Sequence, residues 1–210
     1  LKPEITAPGG NIWSTLTDGT YGSMSGTSMS APSVTGMAAV VAQYLCETGL
    51  AEQEGMTVRA LSQALLMSTS SPLKQDNGVE YSPRKQGSGF ANVYHAVTTP
   101  AYLLTDSKDV TDGKVKVNLG DDPDRTGVYS ADFTLNNLTD EAIEYTLSAD
   151  VFTQAPVSSE GVLYLLPKTV SMAANVVWTV DGKVLTAPSE LTAYDFDKDG
   201  DTDADDAQLL

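Results

Sequence analysis

"GTSMSAP", residues 26–32, is followed directly by a run with a helical apolar rhythm. From Ser28 onward, Val34, Met37, Ala38, Val41, Tyr44 and Leu45 recur at three- and four-residue intervals, with Val40 and Ala42 widening the apolar surface, which predicts a mostly buried helix. Gly36 inside it costs roughly 1 kcal/mol relative to alanine, so another backbone is expected to pack closely there. Gly26 lets the chain turn sharply, and Pro32, placed in the first turn, forfeits an N–H that has no intrahelical partner anyway. Ser28 then has two readings. Serine is among the commonest N-caps. Alternatively it is a nucleophile, because unpaired amides and partial positive charge at a helix start can hold a developing oxyanion. A serine hydroxyl also needs a neighbouring base to attack a carbonyl. The residues alone leave both readings open.

Outward from this point, "KPEITAPGGNIWST" (2–15) reads as a short buried strand running into a turn, with a loop following to about Ser25. Within that loop "DGTYGSM", around Tyr21, can border a cleft without revealing a side-chain preference. Thr57 is placed to cap a second helix running to about Ser68, with Val58, Leu61 and Leu65 facing inward. "GSGFANVYHAV" (87–97) closes the first half. The lone cysteine, Cys46, excludes an internal disulfide framework and reads as a small core hydrophobe.

The 210 residues, 41% of them apolar, suffice for a buried core and suggest one to two domains. The first residue is Leu1 and an apolar run begins at Leu209, so the chain is expected to be a fragment. The net charge of −16 is uneven: residues 1–100 hold 7 acids and 5 bases, residues 101–210 hold 21 and 7. That balance excludes nucleic acid as a partner and leaves cations as natural partners of the second half. After Pro100 the period changes to two. Tyr129, Ala131, Phe133 and Leu135 alternate with polar residues, as do Ile143, Tyr145, Leu147, Ala149 and Val151, and each run predicts a half-buried strand. "NNLTDEA" (136–142) is turn-rich, and Asp181–Gly182 in "WTVDGKVL" stands where a tight hairpin needs positive φ. A small β-sandwich over 101–192 is the expectation.

"GTSMSAPSVTGMAAVV" (26–41), preceded by "KPEITAPGGNIWST", resembles the nucleophile segment of the subtilisin-like serine proteases, the subtilases. Over the whole chain the pattern is similar to the large Gram-positive cell-envelope, lactocepin-like members. The resemblance implies that residues 1–99 are the C-terminal part of an α/β protease domain with a doubly wound parallel sheet. It implies that Ser28 is the nucleophile and that residues 101–192 are a fibronectin type III-like sandwich. It further implies extended polypeptide substrates, no organic cofactor, and secretion or attachment to the cell envelope. Many subtilases carry histidine where this chain has Ser33, and that histidine is not the catalytic base. In the family the triad aspartate and histidine and the oxyanion-hole asparagine precede the serine by a long stretch, so this chain is expected to be inactive alone. The sole histidine, His95, is expected to have an ordinary structural role, and residues 1–99 alone are expected to fold poorly.

The last segment, "YDFDKDGDTDADDAQLL" (194–210), places Asp195, Asp197, Asp199, Gly200, Asp201, Asp203 and Asp206 at positions one, three, five, six, seven, nine and twelve. This is the EF-hand calcium spacing, in which alternate oxygens and a glycine turn enclose Ca2+. Aspartate at position twelve resembles dockerin-type loops, which would bring a cohesin-type partner; the second loop that dockerins need is not in the sequence. Residues 193–210 are therefore read as a truncated EF-hand-like loop, against the plainer reading of a solvated acidic tail. The alternative to an endopeptidase is a non-catalytic adhesion or docking module built on the sandwich and the calcium loop.

Overall fold

A computed structural model describes residues 2–105, 112–124, 126–172, 176–181 and 183–184. Its helical part is built on α1 (Thr27–Thr48), which ends where Gly49 takes the left-handed conformation (φ 71°) and returns its N–H to the Leu45 carbonyl at 3.0 Å, a glycine C-cap. A short α2 (Leu50–Gln53) follows. Helix α3 (Val58–Ser68) begins as the sequence predicts, with the Thr57 hydroxyl accepting from the Ala60 amide at 3.1 Å. Two further short helices, α4 (Pro83–Gln86) and α5 (Val93–Thr98), are capped by the side chains of Ser82 and Asn92.

The core sits where α1, α3 and α5 meet. Val41 and Leu45 of α1, Leu61, Ala64, Leu65 and Leu66 of α3, and Ala96 of α5 are buried together with Ala51 and Tyr102. Each fully buried leucine contributes about 1.5–3 kcal/mol of transfer free energy, and the i, i+4 pairs Val41/Leu45 and Leu61/Leu65 give each helix one inward face. Tyr102 belongs to β3 (Ala101–Thr105), the first strand beyond the expected boundary at Thr99 and Pro100, yet it is buried in this helical core. Its hydroxyl donates to Glu54 Oε2 at 2.7 Å. Burial, then the Glu54 carboxylate, push that phenol well above its ordinary value.

Three expectations for α1 are corrected. The helix is buried on one side only: Ala31, Pro32, Thr35, Gly36, Ala39, Val40 and Gln43 are exposed. A Cβ on Gly36 would meet nothing within 4 Å, and Cys46 is exposed rather than in the core. Periodicity reports which residues share a face, whereas burial needs a partner, and no described residue covers this face. The stretch before α1 is also not a loop. Ile12–Thr15 (β1) and Tyr21–Met24 (β2) pair antiparallel as a hairpin, with Trp13 opposite Ser23 and Thr15 opposite Tyr21.

The expected doubly wound parallel sheet is not formed among the described residues, whose one parallel pairing is the isolated bridge Thr6↔Phe90. The strands after residue 100 form two-stranded antiparallel ladders: β3 with β4 (Phe133–Asn137), β5 (Val151–Ser159) with β6 (Val162–Met172), and β7 (Thr179–Val180) with β8 (Lys183–Val184). Asp181, between β7 and β8, has the positive φ expected of it (48°); Gly182 lies outside the described residues. The expected strand over 143–151 is corrected: residues 143–150 form no ladder, although Ile143, Tyr145 and Leu147 are half-buried in alternation with exposed neighbours. Alternation creates the two faces, and a strand additionally needs an edge to pair with. The Asp195–Asp206 loop lies outside the described residues. No helix among the described residues is long and apolar enough to cross a membrane.

Candidate active site at the start of helix α1

Ser28 is the second residue of the 22-residue α1 and is exposed. The N-cap position belongs to Gly26 (φ 155°, ψ 171°), whose carbonyl accepts from the amides of Met29 at 3.0 Å and Ser30 at 3.3 Å. That φ/ψ pair is one that only glycine occupies at low cost. Capping is therefore done by backbone, and the reading of Ser28 as the cap is removed by the geometry. Its hydroxyl has no hydrogen-bond partner among the described residues. Neither have the amides of Thr27 and Ser28, which stand at the positive end of the helix. An unbonded hydroxyl beside two unbonded amides is what acylation requires on the nucleophile side: a group to attack with, and donors for the oxygen that becomes negative.

The reading of Pro32 is also refined. With α1 starting at Thr27, Pro32 falls in the second turn. The amide it lacks is the one that would donate to the Ser28 carbonyl, so proline loosens the ladder at the serine itself. Ser30 Oγ donates to the Thr27 carbonyl at 3.0 Å and fixes the same turn.

The helix start is held from below by Gly9. The Gly26 amide donates to the Gly9 carbonyl at 2.8 Å, and a Cβ at position 9 would stand 2.8 Å from the Gly26 oxygen and 3.0 Å from Ser30 Cβ. Only a residue without a side chain lets the two backbones approach this closely. The Asn11 amide adds a bond to Ser25 Oγ at 2.8 Å. The hairpin therefore enters α1 along a fixed path. On one face of it Trp13 and Tyr21 are exposed (69% and 62%), and Met24 is exposed at its end.

His95, the only histidine in the sequence, lies in α5 with its ring 6.2 Å from that of Tyr94, and it makes no hydrogen bond to Ser28. Its neighbour Ala96 joins the cluster built on Val41 and Leu45, and Val41 is roughly 20 Å along the α1 axis from Ser28 at 1.5 Å per residue. No other side chain that could act as base hydrogen-bonds to Ser28 among the described residues. The described residues likewise contain no cluster of three or more His, Cys, Asp or Glu able to hold a metal ion; Asp195, Asp197, Asp199, Asp201, Asp203 and Asp206 lie beyond them. Sequence reasoning missed Gly9 and Gly26 as the pair that sets the helix start. The signal was present in "APGG" and "SGTS", but it becomes legible only when the two segments are adjacent.

Residues 1–89 match the subtilase family. The match spans Thr6, the hairpin, α1 with Ser28, and α3. Beyond it, the chain is 31% identical over 210 residues to the PII-type proteinase of Lactococcus lactis subsp. cremoris, covering 92% of this chain and 10% of that protein. It is 31% identical over 190 residues to a C5a peptidase of Streptococcus pyogenes, covering 90% of this chain and 15% of the relative. A C5a peptidase from a serotype M6 strain is 35% identical over 154 residues, 73% of this chain and 12% of its own length. The chain thus spans a tenth to a sixth of the relatives it matches. The similarity to these relatives extends beyond residue 89, past the segment that matches the family model.

Proposed function

We propose that this chain is the nucleophile-bearing part of a serine-type endopeptidase, in which Ser28 Oγ attacks the carbonyl carbon of an extended polypeptide and forms an acyl-enzyme as the peptide C–N bond breaks and the amine leaves with the proton the base took from Oγ. The observation that carries this reading is the exposed, unbonded Ser28 hydroxyl at the amino end of a helix capped by backbone, within the subtilase segment. The amides of Thr27 and Ser28 are positioned to donate to the oxyanion of the tetrahedral intermediate. The proton on Oγ needs a base from outside the described residues, because His95 does not reach it; the resemblance points to an upstream histidine and aspartate. The chain alone is therefore expected to be inactive. Trp13 and Tyr21 offer exposed apolar surface on one face of the hairpin to a bound polypeptide. The names of the relatives, proteinase and C5a peptidase, favour an enzyme over an adhesion module, and the resemblance favours secretion or attachment to the cell envelope.

A fluorophosphonate probe tests this. Labelling at Ser28 is expected in a polypeptide that includes the upstream triad residues, and near-absence of labelling in the 210-residue chain; strong labelling of the isolated chain would overturn its dependence on an external base. The fibronectin type III-like arrangement of residues 101–192 remains part of the same proposal, resting on the resemblance and the period-two pattern. For the acidic terminus, the spacing of Asp195, Asp197, Asp199, Asp201, Asp203 and Asp206 supports Ca2+ binding. Calorimetric titration with calcium should give a saturable heat that Asp195→Ala together with Asp199→Ala removes, and no heat at millimolar calcium would refute it.

A further inference from the structure

The segment Asp112–Lys116 crosses from the β-rich half onto the helical half. Asp112 (φ 67°) and Gly113 (φ 73°) are both left-handed, and together they lay the chain on α3. Arg59 Nη2 donates to Asp112 Oδ2 at 2.8 Å, Gln63 Nε2 donates to the Asp112 carbonyl at 2.8 Å, and a Cβ on Gly113 would stand 2.0 Å from the Ala60 carbonyl oxygen. Arg59 and Gln63 are one helical turn apart, so they grip the segment from one face. Beyond the turn, Thr105 Oγ1 bonds to the carbonyls of Lys114 and Lys116, each at 3.2 Å. The ammonium groups of Lys114 and Lys116 then come within 4.0 and 3.9 Å of Glu4 Oε1, which Lys2 approaches to 2.7 Å.

Glu4 begins the path to the nucleophile. Its carbonyl accepts from the Ser88 amide and hydroxyl, and Thr6 is bonded to the same loop through Thr6 N→Gly89 O and Ala91 N→Thr6 O, both at 2.8 Å. Three residues further, the Gly9 carbonyl holds the Gly26 amide. We propose that the Asp112–Lys116 strap is a positioning element for Ser28: docked on Ala60 and Glu4, it fixes the extended run Glu4–Gly9 and through it the start of α1. Polypeptide beyond residue 100 would thus set the geometry of the nucleophile rather than merely follow the protease half. Partly exposed ion pairs such as those of Glu4 hold weakly, so the fit of Gly113 against the Ala60 carbonyl is the deciding contact. The catalytic consequence rests on the proposed function, whereas the mechanical one does not.

Hydrogen exchange on the full 210-residue chain separates the two. Gly113→Val places a branched side chain against the Ala60 backbone, and it is expected to speed exchange of the Thr6, Ser88 and Gly26 amides at least ten-fold while the Val41–Leu45 amides keep their rates. Faster exchange confined to residues 112–116, with Gly26 unchanged, would overturn the proposal. If Gly113→Val does not fold, the isosteric Glu4→Gln, expected to accelerate the same amides two- to three-fold, takes its place, and no acceleration would be the refutation. In a protein carrying the upstream triad residues, Gly113→Ala should lower kcat per titrated active site about ten-fold with KM unchanged. A merely structural role would lower the number of active sites and leave kcat per site intact. Should the unmodified protein neither label nor cleave, the proposed function fails while the exchange result still judges the strap.

Discussion

Replacing Gly9 by alanine probes the coupling between the fold and Ser28 most finely. The added Cβ would stand 2.8 Å from the Gly26 oxygen and 3.0 Å from Ser30 Cβ, whereas ordinary contact begins at 3.4 Å. The start of α1 must therefore move by about 0.6 Å or the Gly26 N→Gly9 O bond must break. Overpacking of this kind costs about 1–3 kcal/mol, and for a chain of this size each kcal/mol lowers the melting midpoint by about 2–4 °C. A displacement approaching 1 Å at a nucleophile reduces reaction rate by up to about 100-fold. The assay is the second-order rate of fluorophosphonate labelling in a protein with the triad residues, alongside a thermal melt. Gly10→Ala is the control, because a Cβ there meets nothing within 4 Å and its φ is not left-handed. Equal labelling rates and equal melts for the two variants would refute the idea that Gly9 sets the helix start.

Gln86 is buried, and its side-chain amide serves the backbone of the adjoining loop: Oε1 accepts from the Leu73 amide at 2.6 Å and Nε2 donates to the Tyr81 carbonyl. Gln86→Leu leaves both groups unpaired and should cost about 1–3 kcal/mol, with limited proteolysis cutting first within residues 72–90; unchanged protease resistance would count against it. Burial raises the Glu4 carboxyl, but the Lys2 ammonium bonded to it, with Lys116 and Lys114 close by, holds it below the ordinary glutamate range. A depressed folded value means stabilisation that is fully present above the unfolded value of about 4.3 and lost as pH falls through the folded one. The melting difference between the unmodified chain and Glu4→Gln should accordingly be constant above about pH 5 and shrink below about pH 4, and a difference growing toward acid would contradict the assignment.

Much of the helical half was legible from local chemistry. Thr57 caps α3 because a hydroxyl before Val58 can reach Ala60, and Leu61 and Leu65 face inward because they recur one turn apart. What local pattern could not convey was the presence or absence of partners. The apolar rhythm of α1 is real, but burial reaches Val41 and Leu45 while Val40, Gly36 and Cys46 face outward. The hairpin of β1 and β2 was missed because four-residue strands containing serine and glycine have too few alternations to show a period. Helix α1 begins one residue before Ser28, so the cap falls on glycine. A glycine cap acts through its backbone, and residue type says little about which of several glycines will do so. The Gly9–Gly26 and Gly113–Ala60 approaches join residues 17 and 53 apart, and no local rule reaches that far.

The central claim is that Ser28 is a nucleophile and not a cap, and Ser28→Ala in a polypeptide containing the upstream triad residues tests it directly. Because the hydroxyl has no partner among the described residues, its removal should abolish labelling and peptide hydrolysis while changing stability by less than about 0.5 kcal/mol. Retained hydrolysis, accompanied by the loss of about 1 kcal/mol that removing a helix cap brings, would contradict it.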